Sequence, residues 1–135
     1  MICVDTNVLL RYVLDDDPRQ SPRSAELFSG EAKILITDVV LAEALWTLAG
    51  KKYKVSREDL LDLIEALFAE PVIEFEDKAV VWRSLGDFRT TEADFQDALI
   101  LRKAEHLASV RQEMLTGFFT FDEAALQLDG ATRPG

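Results

Sequence analysis

The sequence predicts an α/β fold in which helices cover a mostly parallel sheet. Short apolar runs alternate with longer segments of helical periodicity, which is the pattern of strand–helix–strand units. Capping residues precede most of the helical segments, and neither an internal repeat nor a low-complexity linker interrupts the alternation. The chain has 135 residues, enough for one domain that buries roughly two-thirds of its unfolded surface.

Four strands are predicted where short apolar runs, several of them β-branched, are followed by helix-capping or turn residues. They cover residues 2–4, 33–36, 71–75 and 117–121. In a parallel sheet, ligands bind beyond the carboxyl ends of the strands. The residues that directly follow each strand are therefore the first candidates for a site.

Helices are predicted between these strands from capping residues and apolar periodicity. Thr6 or Asn7 is expected to cap the first helix, and Gly30 and Gly50 to end the second and third. The expected helices cover residues 7–14, 18–29, 38–49, 56–69, 77–85 and 94–108, with a further short helix from 122 or 123. The sequence thus predicts a folded domain over residues 1–128 and a short, frayed polar tail over residues 129–135.

The charge and composition of the chain limit the kinds of function that the protein is expected to have. The net charge is −10, so overall charge does not attract nucleic acid, and cations would have to screen any site that acts on a polyanion. Acidity that only promotes solubility is the simpler alternative. No apolar run approaches the ~20 residues of a membrane span, and the N-terminus lacks a basic, signal-like region. Cys3 is the single cysteine, expected to be a buried structural thiol, and we expect a cytoplasmic protein.

Two acidic residues follow predicted strands. Asp5 comes directly after the first strand, and Asp122 directly after the fourth. A carboxylate next to a buried strand must be solvated, paired or bound to a metal, because an isolated buried charge is very costly. If both strands belong to one parallel sheet, these two carboxylates lie at the same edge.

Two further acids share a helix face with apolar residues. Glu43 lies three or four positions from Val39, Val40 and Trp46, and Asp97 precedes Ile100 and Leu101 by the same spacing. Both are therefore expected to face inward, although each alone could equally be an acid at the helix edge that reaches water.

Together, the four acids predict a site for a hard cation. Crowded carboxylates repel each other unless a cation neutralises them, and oxygen ligands without His or Cys suit Mg²⁺ or Mn²⁺. The single histidine, His106, has no second imidazole or thiolate with which to bind a metal and is expected at the surface or in helix packing.

Four ordered motifs resemble those of PIN-domain ribonucleases, and most closely the VapC-type toxins of prokaryotic toxin–antitoxin pairs. They span residues 4–125 and read "VDTNVLLR", "TDVVLAEAL", "ADFQDALIL" and "TFDEAA". The resemblance implies a three-layer α/β/α domain with four or five short strands. It also implies an endoribonuclease that uses Mg²⁺ or Mn²⁺, with Asp5, Glu43, Asp97 and Asp122 as the acids that hold metal and activate water.

The resemblance also implies supporting residues and partners. Thr6, Asn7 and Thr120 match polar positions that orient carboxylates or water, although Thr6 or Asn7 could also be a helix cap. The implied partners are an RNA substrate, a second copy of the chain in a homodimer, and a cognate VapB-like antitoxin that blocks the site. Operator DNA would be contacted only through the antitoxin, and no membrane is involved.

Two features of the sequence, Asp94 and the segment at 51–54, each have both a functional and a purely structural interpretation. Asp94 matches an auxiliary acid of some family members, and it also has the position of an N-cap whose side chain bonds the amide of residue 96 or 97. The segment "KKYK" at 51–54 could contact RNA phosphates, with Tyr53 stacking on a base, or it could be a solvated loop.

Other classes fit less well. A receiver-like signalling domain would need an acid pair after the first strand, and Asp5 has no acidic neighbour. A PIN domain that only binds, without catalysis, would not need all four acids. A PIN nuclease that processes RNA without an antitoxin fits the same residues as a toxin.

Overall fold

A computed structural model describes all residues of the chain, 1–135. It contains six α-helices, five short strands and one 3-10 helix. The residues form two compact units, Met1–Glu76 and Asp77–Gly135. None of the helices combines the length and the apolar content that a membrane crossing requires.

The first unit is built on a sheet of three parallel strands. In spatial order they are β1 (Ile2–Cys3), β2 (Ile34–Ile36) and β3 (Ile73–Phe75). Ile34 lies at the centre of the register, aligned with Ile2 on one side and Ile73 on the other. Ile34 and Ile36 are fully buried, which explains why this segment of the sequence is continuously apolar.

Four helices accompany this sheet: α1 (Thr6–Leu14), α2 (Gln20–Phe28), α3 (Asp38–Ala49) and α4 (Arg57–Ala69). Helix α1 contacts both α2 and α3. The Tyr12 ring of α1 stacks on Phe28 of α2 with ring centroids 4.0 Å apart. Burial and a 2.6 Å hydrogen bond to Glu70 raise the pKa of Tyr12 to about 12.

The second unit contains the helix pair α5 (Lys78–Thr90) and α6 (Phe95–Val110). Arg102 of α6 donates two hydrogen bonds to the carboxylate of Asp87 on α5, at 2.6 and 2.8 Å. Phe88 and Phe95 pack edge to face beside this pair, 6.0 Å between centroids. A paired arginine and an aromatic contact therefore fix α6, the helix that carries Asp97.

The remaining strands, β4 (Phe118–Phe119) and β5 (Ala131–Thr132), form a separate parallel pair. The expectation that the fourth strand joins the first three in one sheet was wrong, and so was that of a wholly frayed tail. A small buried cluster that includes Ala125 and Leu128 explains the difference, because Phe118 and Ala131 pack against it. The short helix expected from 122 or 123 is a 3-10 turn at Ala125–Gln127.

The predicted α/β class with parallel strands is confirmed, and most helix boundaries agree within two residues. Thr37, Ser56 and Asp77 each accept a capping hydrogen bond at the start of a helix. The clearest error is the end of α5, expected at Leu85. The helix continues through Gly86 to Thr90, since Phe88 is buried and Asp87 holds Arg102.

Candidate active site

Asp5 begins helix α1. Its backbone is extended, and its Oδ1 accepts a hydrogen bond of 3.0 Å from the backbone N–H of Val8. Asp5 is therefore the N-cap, and the expectation that Thr6 or Asn7 fills this role was wrong. The carboxylate is exposed, and its second oxygen, Oδ2, is free to bind another group.

Asn7 lies in the first turn of α1 and is held by α2. Its Nδ2 donates to Oε1 of Gln20 at 3.1 Å. This bond fixes the orientation of an exposed amide two residues after Asp5, and the supporting role of Asn7 stays a prediction. Thr6, which is partly buried, begins the same turn.

Glu43 lies on α3, but its side chain does not face the core. The residue is exposed, and so are Val39 and Trp46 on the same face, at 74% and 68% of their full accessible area. The sequence grouped these residues on one face correctly, but the expectation that this face points inward was wrong. The core is instead filled by Leu41, Ala44, Leu45 and Leu48 on the opposite side of the helix. Because Glu43 is exposed, its carboxylate can reach a ligand in solvent without a burial penalty.

Asp97 is the acid of the candidate site whose pKa is shifted by the fold. It lies in the first turn of α6 and is partly buried. Burial raises the pKa of Asp97 above its ordinary value, and the negative charges of Asp122 and then Asp94 raise it further. The structure therefore brings these three carboxylates near one another within the second unit.

Asp122 is held in a tight turn by two hydrogen bonds. Its backbone N–H donates to Oγ1 of Thr120 at 3.0 Å, and its own Oδ1 accepts from the backbone N–H of Ala125 at 2.9 Å. Thr120 thus holds the backbone of Asp122, and the supporting role that the resemblance implies for Thr120 stays a prediction. The Asp122 side chain remains exposed, with Oδ2 outside the turn.

Asp94 stands at the N-cap position of α6 without acting as a side-chain cap. Its backbone is extended, but its carboxylate accepts no hydrogen bond from the helix. The predicted bond to the amide of residue 96 or 97 was therefore wrong. The exposed carboxylate instead acts on Asp97 through its charge, which fits an auxiliary acid better than a cap.

The chemistry of these side chains suits a hard divalent cation. Burial is the main cause of the raised pKa of Asp97, and the charges of the carboxylates of Asp122 and Asp94 add to it; a cation would neutralise that added charge. No group of three or more His, Cys, Asp or Glu residues has the arrangement of a metal cage. Mg²⁺ commonly keeps several waters and binds through one or two carboxylates, so the residues that could hold such an ion here are Asp97 and Asp122.

Two other chemically notable residues lie outside this arrangement. His106, expected at the surface, is half exposed and pairs with Asp77 through Nε2 and Oδ2 at 3.2 Å. Cys3 is exposed rather than buried, because a strand of only two residues does not cover it. Neither residue belongs to the acidic group.

Comparisons with known proteins place these residues in a family. The family described as "PIN domain" matches residues 2–131, a range that includes every acid discussed above and ends at the first residue of strand β5. No curated protein matches the chain. The six helices and the parallel strands are consistent with a three-layer α/β/α domain.

Proposed function

We propose that this chain, which belongs to the PIN domain family, is a metal-dependent endoribonuclease that hydrolyses RNA phosphodiester bonds. PIN domains are generally nucleases and typically depend on divalent metal. The observation on which the proposal depends is that the carboxylates of Asp122 and Asp94 lie close enough to the partly buried Asp97 to add to the effect of burial on its pKa. Carboxylates that repel each other in the free protein are suited to bind a cation.

The proposed roles rest on the motif resemblance and, for Asp97, Asp122 and Asp94, on the proximity of their carboxylates. Asp97 and Asp122 would hold Mg²⁺ or Mn²⁺, with Asp5 and Glu43 as the further acids of the site. A divalent cation, when bound, supplies an acidified water and neutralises charge on the phosphoryl group. Thr120 fixes the turn of Asp122, and Gln20 fixes the amide of Asn7. Asp94, whose carboxylate accepts no cap bond, adds negative charge that strengthens cation binding by Asp97.

We further propose that the nuclease is the toxin of a type II toxin–antitoxin pair and is inhibited by a VapB-like antitoxin. The motifs that resemble VapC-type toxins support this role. An arginine or lysine of the antitoxin would pair with the acids, because a guanidinium binds carboxylates through two hydrogen bonds. A homodimer, and contact with operator DNA through the antitoxin alone, belong to the same proposal. A PIN nuclease that processes RNA without an antitoxin is the alternative within the enzyme class.

A non-catalytic binding module is a second candidate, and one observation favours it. Asp5 and Asp122 each use one carboxylate oxygen to cap a turn or a helix. Both residues would therefore persist for structural reasons even if the chain cut nothing. Catalysis must be tested with substitutions that preserve these caps.

The decisive experiment is RNA cleavage by purified protein with Mg²⁺, with Mn²⁺ and with EDTA. We expect cleavage only with metal, and loss of cleavage in Asp97→Asn. Asp62→Asn is the matched control, because Asp62 is an exposed carboxylate on α4 outside the predicted site. Equal cleavage by Asp97→Asn and Asp62→Asn would refute the enzyme proposal. Growth after induced expression, with cellular RNA followed in parallel, then tests the toxin role.

A further inference from the structure

The turn between α3 and α4 presents three lysines within four positions. Lys51, Lys52 and Lys54 are all exposed, and none of them forms an ion pair with a carboxylate. This arrangement stands out in a chain of net charge −10, because unpaired cations in an acidic protein are available to an anionic ligand.

Tyr53, at the centre of the turn, is anchored to α1. Its hydroxyl accepts a hydrogen bond of 3.2 Å from Nη2 of Arg11, and Nζ of Lys52 lies 5.2 Å from the centre of its ring. The hydrogen bond from Arg11, with a smaller contribution from Lys52, lowers the pKa of Tyr53. One ring face is therefore occupied by a cation, which favours phosphate contact by this turn over base stacking on Tyr53.

The backbone closes the turn without help from the lysine side chains. The N–H of Lys54 donates to the carbonyl of Gly50 at 2.8 Å, and that of Val55 to the carbonyl of Leu48 at 2.9 Å. Lys54 has a positive φ of 50°, a conformation in which Asn is far commoner than a long charged residue. The side chains of Lys51 and Lys54 thus contribute charge at the surface rather than contacts that hold the turn, and Lys52 also contacts the ring of Tyr53.

Arg11 connects this turn with the helix that Asp5 begins. Arg11 lies six residues after Asp5 on α1, which is about 9 Å along the helix axis. Arg11 also lines a cleft of about 220 Å³ between α1 and α2, together with Asn7 and Arg23. Because its own charge is paired with Asp16 at 2.6 Å, Arg11 positions the turn and does not itself bind the ligand.

We propose that the α3–α4 turn is an RNA-binding surface on which Lys51, Lys52 and Lys54 hold backbone phosphates of the substrate strand. The turn lies on the side of α1 that Arg11 occupies. A short single strand of RNA bound there would therefore be able to reach Asp5. This inference rests on the proposed nuclease function, since it assigns the substrate to a surface near one acid of that site.

The test is the binding of a short fluorescent single-stranded RNA by the full chain in EDTA, measured by anisotropy over a series of salt concentrations. The variant Lys51→Gln/Lys54→Asn removes two charges, and Asn at position 54 tolerates the positive φ. Arg83→Gln/Arg111→Gln is the matched control, because both arginines are exposed and form no ion pair. Each lost phosphate contact reduces the salt slope by about 0.7.

We expect the lysine variant to lower the slope by about 1.4 and to weaken binding roughly tenfold near 0.1 M salt, with the arginine control unchanged. Equal RNA binding by the two double variants would overturn the inference. The inference would also be overturned if the lysines proved necessary only for binding an acidic protein partner. If wild type binds RNA through the lysines but never cuts it, the nuclease proposal fails and the surface stands. If the protein cleaves RNA and the lysines are dispensable for binding, the surface proposal fails and the nuclease proposal stands.

Discussion

The carboxylate of Asp5 and the backbone N–H of Val8 are joined by a hydrogen bond of 3.0 Å. This bond gives Asp5 a structural role at the start of α1 beside the catalytic role that we propose. Repulsion among the acids alone would make Asp5→Asn stabilising in the metal-free protein. Because Asn caps helices about as well as Asp, the hydrogen bond instead predicts a small effect.

We therefore expect Asp5→Asn to change the free energy of unfolding little and to abolish cleavage. Asp5→Ala removes the cap and should lower the free energy of unfolding by about 1 kcal/mol. Urea denaturation measures both, beside an RNA cleavage assay. If Asp5→Asn retains full cleavage, Asp5 is a cap only and leaves the proposed site.

The raised pKa of Asp97 predicts a stability that depends on pH. Because the folded protein holds the Asp97 proton more tightly than the unfolded chain does, this residue lowers stability increasingly as pH rises through its folded pKa. Asp97→Asn should therefore stabilise the metal-free protein at neutral pH. The gain should disappear below the ordinary pKa of an aspartate, where both states bind the proton.

Thermal unfolding of wild type and Asp97→Asn in EDTA measures this difference between pH 3 and pH 7. These limits lie on either side of the ordinary pKa of aspartate, about 4. Asp62→Asn serves again as the control and should show no such trend. A destabilising effect of Asp97→Asn at neutral pH would mean that contacts of the carboxylate stabilise the fold. It would contradict the destabilisation by burial and nearby negative charge that is expected here.

Mg²⁺ should stabilise the wild-type protein by linkage, since an ion that binds only the folded state raises the free energy of unfolding. At a concentration of about 100 times the dissociation constant, the expected gain is about 2.7 kcal/mol. Asp97→Asn should lose most of this gain, whereas Asp62→Asn should keep it. The melting temperature as a function of Mg²⁺ concentration is the measurement, and an equal rise in all three proteins would place the bound ion elsewhere.

Asp94 and Asp77 provide a matched comparison of two aspartates at helix starts. Asp77 accepts a hydrogen bond from the N–H of Val80 at 3.1 Å, whereas the Asp94 carboxylate accepts none from its helix. Asp77→Ala should cost about 1 kcal/mol, and Asp94→Ala should cost little. Chemical denaturation of both variants decides this, and a loss at Asp94 as large as that at Asp77 would contradict the structure.

Local signals in the sequence located the helices well and the strand pairings poorly. Ser56 and Asp77 each precede a helix by one residue, and the capping hydrogen bond involves only neighbours in the chain, so such boundaries are readable from sequence. The partner of β4 depends on contacts between Phe118, Ala131 and a distant buried cluster, which no local pattern encodes.

The candidate site shows the same limit. Spacing placed Glu43 correctly beside Val39 and Trp46, but α3 is apolar around much of its circumference, so sequence alone could not tell which face the core covers. The capping role of Asp5 was missed because Thr6 and Asn7 are equally good caps by residue type. The unused cap at Asp94 depends on where neighbouring charge lies, which only the fold determines.

The hydrogen bonds of Asp5 and Asp122 restrict how either residue could coordinate an ion. Each commits one lone pair of Oδ1 to a backbone amide, so Oδ2 is the oxygen of each that is left without a hydrogen bond. If the proposed metal site is correct, an ion there would complete its coordination with water and with phosphate oxygens of a bound substrate. Retention of the metal would then depend on whether substrate is present.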